Sequence, residues 1–122
     1  MCIRDSLRAA LGTDAAAAGL ARVFLSSLTD DARRLEPLLD AMDRAELREW
    51  SHRTGGALAL LHNACVDAVA AAFRDAVHHG THADVRTAGA RVKRLLDHIN
   101  ALLDAFISAC GTMLHRTQVT DS

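Results

Sequence analysis

The sequence predicts an all-α domain, an antiparallel up-and-down four-helix bundle, on three observations. Half of the 122 residues are apolar, yet only 3% are aromatic and only one is proline, and the dominance of alanine and leucine favours helix over strand. Apolar residues recur at three- and four-residue spacing along nearly the whole chain, whereas no stretch alternates with a period of two. The periodic segments number four and are joined by short connections, so each can bury its stripe only against the others.

In the first segment Leu20, Phe24, Leu28, Leu35, Leu38 and Met42 share one arc of the helical wheel, with Val23 and Ser27 at its edge. They predict one long helix capped by Thr13 or Asp14. Asp31 is an acidic blemish inside the arc. Pro37 falls on the solvent side, where it bends the helix without changing its phase. A break at Thr29 is the rival reading, and the unbroken phase on both sides argues against it.

The second helix runs from Asp43 or Arg44 to Leu61, with Leu47, Trp50, Thr54, Leu58 and Leu61 facing inward. The third spans Ala64 to His79, buries Val66, Val69, Ala70, Phe73 and Val77, and is closed by Gly80. The fourth extends from His82 to Ala109 and carries Val85, Ala88, Val92, Leu95, Ile99, Leu102, Phe106 and Cys110 on its stripe. The bundle is therefore expected over residues 7–110. The opening MCIRDS resembles a translated sequencing-library adapter, so residues 1–6 are set aside as that or as a disordered start, and the polar tail 111–122 is expected to fray.

Fourteen basic and fifteen acidic residues leave a net charge of −1, which excludes the basic footprint of a nucleic-acid binder. No apolar run approaches the roughly 18 residues of a membrane span, so no membrane contact is expected from this fragment. Cys2, Cys65 and Cys110 are odd in number, far apart and unpaired by any motif. They suggest free thiols in a reducing cytoplasm rather than a disulfide framework or a thiolate metal site.

The stretch SHRTGGAL, residues 51–58, departs from this pattern. With Leu47 at 0°, the inward residues of the second helix cluster within about 60°, His52 falls near 140° and Gly56 near 180°. His52 thus points to solvent from mid-helix, and Gly56 and Ala59 leave its own face sterically open. Each interior glycine costs on the order of 1 kcal/mol relative to alanine, so a compensating role is expected for the pair. Close helix packing could use Gly55; close approach of a partner to the imidazole needs Gly56. A neutral imidazole keeps one nitrogen lone pair for an electrophile, and in phosphoryl transfer positioning and charge neutralisation do most of the catalysis.

By this motif the sequence resembles the histidine-containing phosphotransfer (HPt) domains of bacterial phosphorelays, which carry H-x-x-K-G on the second helix of a four-helix bundle. The resemblance covers roughly Leu7 to Phe106, and its specific part is the short motif around His52. It implies that His52 is the phospho-acceptor, that Gly56 clears space for a receiver domain, and that Gly55 stands where the family has a lysine. Arg48, one turn before His52, is the candidate to supply the missing charge, with Arg53 less well placed. The implied docking face comprises Arg48, Arg53, Gly55, Gly56, Ala59 and the exposed Leu60. The implied partners are response-regulator receiver domains, which bring the Mg²⁺; the chain needs no cofactor or metal of its own. The expected protein is a cytoplasmic monomeric carrier, free or fused to a sensor kinase.

Two rival readings remain. HHGTH gathers His78, His79 and His82, with Asp75 or Asp84 nearby, into a candidate zinc or copper loop. Alternatively the bundle only docks partners, either as a degenerate HPt-like module that binds receivers without chemistry or as a structural module whose glycines serve helix packing.

Overall fold

The computed structural model describes residues 2–121, and the side chains of residues 2–110. It is all-helical, with no strand among the described residues. Five helices follow one another: α1 (Ile3–Leu11), α2 (Ala17–Ala41), α3 (Arg44–Ala59), α4 (Ala64–His79) and α5 (His82–Asp121).

Helix α1 takes in residues 3–6 as its first turn, and Ser6, Leu7 and Leu11 are buried. Ser6 Oγ accepts a hydrogen bond from Asn63 Nδ2 at 2.9 Å. Gly12 ends the helix at φ 81°, a conformation that favours a residue without Cβ. The helix packs against α2 and α5, near Leu102 and Phe106.

Helix α2 is continuous through Thr29 and Pro37. Neither Thr13 nor Asp14 caps it; Ala16 holds that position without a side-chain bond. Asp14 Oδ1 instead accepts Ala16 N–H at 3.1 Å, folding the turn before the helix. Leu20 does not face inward as expected but is 49% exposed. It lies about 80° from Leu28 at 100° per residue, and the small Ala17, Ala18 and Ala21 fill the buried face instead. Leu28 and Leu35 are fully buried.

Helix α3 begins where expected, with Asp43 Oδ1 accepting Glu46 N–H at 3.3 Å. Leu47, Trp50, Thr54, Leu58 and Leu61 are all buried. Helix α4 matches its expected bounds, and Asn63 caps it by accepting from Cys65 N–H at 3.0 Å and Val66 N–H at 3.1 Å. Since Asn63 also donates to Ser6, one side chain fixes both the start of α4 and the seat of α1.

The turn into α5 is a reciprocal cap: Thr81 N–H donates to Asp84 Oδ2 at 2.9 Å, and Asp84 N–H to Thr81 Oγ1 at 3.1 Å. The buried stripe of α5 is Val85, Val92, Leu96, Ile99 and Leu103. Leu95, Leu102 and Phe106, expected on that stripe, flank it half-buried, because burial alternates in sevens, fours and threes along Leu96 and Leu103. The backbone of α5 continues through the expected polar tail; the fraying expected there concerns residues whose side chains lie outside the described ones.

Each of α2 to α5 packs against its sequence neighbours, and α5 returns against α2. Gly89 makes that return close: a Cβ there would lie 2.8 Å from Leu39 Cδ1. At Gly80 the obstruction is backbone, since a Cβ would meet Ala76 O at 2.8 Å and Ala76 Cα at 3.0 Å. Backbone atoms cannot step aside as a side-chain tip can. Gly80→Ala is therefore expected to destabilise the fold by about 1–3 kcal/mol, read as a lower urea midpoint; an unchanged midpoint would mean the turn yields freely.

Candidate functional site

The site follows from how α3 is held. Trp50 Nε1–H donates to the Asp31 backbone carbonyl at 2.9 Å, and the Trp50 ring meets Phe73 of α4 edge-on, with centroids 5.5 Å apart. Arg53 pairs with the buried Asp31 carboxylate at 3.6 Å. The acidic blemish in the α2 stripe is thus a tertiary partner of α3. These ties to α2 and α4 fix the rotation of α3 about its axis, and the helical phase then sends His52 outward.

His52 is exposed and makes no hydrogen bond or ion pair among the described residues. It opens on a groove of ≈ 520 Å³ between α3 and α4. From α3 the groove is lined by Arg48, Ser51, His52, Gly55, Gly56 and Ala59. From α4 it is lined by Asp67, Ala70, Ala71, Arg74 and His78. Glycine and alanine make the floor on both sides, so backbone is within reach of whatever enters.

A Cβ built on Gly55 or Gly56 would meet nothing within 4 Å. Neither glycine serves helix packing, which overturns that rival account of the pair. Their thermodynamic penalty has no compensation inside the chain, and the space they leave faces outward.

The expected docking residues divide. Arg48, His52, Gly55, Gly56 and Ala59 come together on the groove, whereas Arg53 is committed to Asp31. Leu60 is 60% exposed, as expected, but sits in the turn after α3 and does not line the groove. Arg48 lies along its own helix, donating from Nε to Arg44 O at 3.3 Å.

The α4 wall was missed by sequence reasoning. Its signal was present, because 67, 70, 71, 74 and 78 recur at helical spacing on a flank centred about 100° around the wheel from the core positions 66, 73 and 77, with Ala70, expected inward, at its inner edge. What the sequence did not contain was the register that sets this face beside His52. Arg44 supplies it, donating to the carbonyls of Ala76 (3.3 Å), Val77 (2.9 Å) and Gly80 (2.9 Å). The bonds to Val77 and Gly80 also satisfy carbonyls that the end of α4 leaves without helical partners, whereas that of Ala76 already accepts Gly80 N–H at 2.8 Å.

The histidines of the α4–α5 turn do not converge. Among the described residues no three His, Cys, Asp or Glu side chains form a group able to hold a metal ion, and Asp84 is engaged in capping α5. His78 and His79 have ring centroids 6.0 Å apart. Nor is any helix among the described residues long and apolar enough to cross a membrane.

No family model matches the chain, and no curated protein or solved structure is significantly similar to it. The groove itself offers two exposed imidazoles, His52 on α3 and His78 on α4, guanidinium groups on both walls, the carboxylate of Asp67, and a floor of short side chains.

Proposed function

We propose that the chain is a phosphocarrier of the histidine phosphotransfer type, built as an antiparallel up-and-down four-helix bundle from α2–α5 with α1 packed at one end. His52 accepts a phosphoryl group from the aspartyl phosphate of a receiver domain and passes it to the aspartate of a second receiver. The observation that carries this reading is the exposed His52 beside two glycines whose Cβ positions open into unfilled space.

In the forward step the Nε2 lone pair of His52 attacks phosphorus in line. The P–O bond to the aspartate breaks and its electron pair leaves with the carboxylate. Nδ1 keeps its proton, so the ring carries positive charge beside the new phosphoryl oxygens. The second receiver reverses these events. The bundle contributes orientation, and a near-attack separation of about 3–3.5 Å accounts for much of the rate in such transfers. The receivers contribute Mg²⁺ and the carboxylates.

The test is direct. A receiver charged with labelled phosphate is expected to pass acid-labile label to the chain in the presence of Mg²⁺, while His52→Gln takes none. Label on the Gln variant would remove His52 from the mechanism. Receiver binding without any label on the wild type would make the chain a docking module instead.

A further inference from the structure

A phosphoryl group on His52 brings negative charge into the groove, and something there has to meet it. Three arginines stand near. Arg53 is already paired with Asp31 at 3.6 Å, and Arg48 donates its Nε to Arg44 O at 3.3 Å. Arg74 is exposed and makes no hydrogen bond or ion pair among the described residues.

Its position suits the need. Arg44 in the first turn of α3 binds carbonyls at the last turn of α4, and the short turn at residues 60–63 joins the other ends, so the two helices run antiparallel. Counting along both from these fixed points sets Arg74 within about one turn of His52. By the same count Ser51, Ala70 and Ala71 are the lining residues nearest the gap between them, none with a side chain longer than a hydroxymethyl, while Asp67 lies about as far from His52 on its other side, beside Gly55 and Gly56. Packed helices lie about 8–10 Å apart, a gap that an extended arginine spans.

We infer that Arg74 reaches across this floor to bind the phosphoryl oxygens on His52, supplying from α4 the cation that α3 lacks at Gly55. The inference rests on the phosphocarrier reading. A guanidinium suits the role because its forked N–H donors match two oxygens of a tetrahedral phosphoryl group at once. Arg74 takes no part in bond making; it binds the group that His52 carries.

The experiment uses the full chain labelled by a charged receiver, with the receiver then removed and the half-life of the phosphohistidine followed. Receiver docking alone does not move that half-life. Arg74→Ala is expected to lower the transfer rate and shorten the half-life by about tenfold or more, the scale of a lost charge-assisted hydrogen bond. Arg74→Lys is expected to recover most of the loss. So is Gly55→Lys added to Arg74→Ala, because a side chain at Gly55 enters open space. Thermal melting should be unchanged in Arg74→Ala, since its side chain holds nothing in the fold.

Wild-type rate and half-life in Arg74→Ala would overturn the role of Arg74 while leaving His52 as the carrier. A loss that neither lysine restores would overturn it as well. A wild-type chain that takes no label overturns the phosphocarrier reading, and this inference with it.

Discussion

Gly56→Leu is expected to abolish phosphotransfer while leaving the fold at least as stable as the wild type. The two halves of this expectation come from one observation. A Cβ at Gly56 meets nothing within 4 Å, so the leucine displaces no atom of the chain. Glycine in a helix interior is less favourable than leucine or alanine by on the order of 1 kcal/mol, and urea denaturation should show a gain of up to about that size. The side chain leans toward the helix N-terminus, as all helical side chains do, which carries it over the turn that bears His52. On the phosphocarrier reading, that is the approach of the receiver's aspartyl phosphate. Displacement of reacting atoms by about 1 Å already costs on the order of a hundredfold in rate, and a leucine in the path displaces them further. Transfer should therefore fall by at least about a hundredfold. A leucine variant that transfers at the wild-type rate would show that no partner comes close to Gly56; one that unfolds would show a packing role after all.

The contrast with Gly80 shows what the sequence could and could not convey. Gly56 lies inside a helix and Gly80 closes one, and at neither position can periodicity tell whether a Cβ would meet solvent or a backbone carbonyl. That distinction is tertiary. Within one helix, legibility was high: α4 has its expected bounds, every inward residue expected of α3 is buried, and His52 points outward as its phase requires. The reason is that a stripe of large apolar residues determines the rotation of a helix whatever it packs against. Legibility failed where small residues or long-range partners decide. Leu20 is placed inward by the arc it shares with Phe24 and Leu28, yet Ala17, Ala18 and Ala21 make the buried face of that turn. Asp31 read as a flaw because its partners, Arg53 and Trp50, lie on another helix. Helix α1 was overlooked because its anchor, Ser6 to Asn63, joins residues far apart in the chain. Arg74 belongs to the same class: its face was visible, but its neighbour across the groove depends on interhelix register. The reciprocal Thr81–Asp84 cap is different, a local pattern that was legible and was passed over for the histidines around it.

The largest loss of stability is expected from Trp50→Ala. Trp50 is 3% exposed, stacks edge-on with Phe73 and donates to the Asp31 carbonyl at 2.9 Å, so α2, α3 and α4 all meet at this one side chain. Truncating a buried aromatic to alanine costs about 3–5 kcal/mol, a large share of the roughly 5–15 kcal/mol that holds a domain together. Urea denaturation should register that loss, and a decrease below about 1 kcal/mol would mean the ring is not the keystone its contacts imply. Trp50→Phe separates stability from function. It retains a ring against Phe73 but removes the N–H that ties α3 to α2, and the net value of one such hydrogen bond is only about 0.5–1.5 kcal/mol. The domain should remain folded. Because His52 stands two residues further along the same helix, a small rotation of α3 moves the imbalance straight into the geometry of attack. The phenylalanine variant should therefore lose more transfer rate than its unfolded fraction accounts for, and equality of the two losses would show that His52 is aimed by the apolar stripe alone.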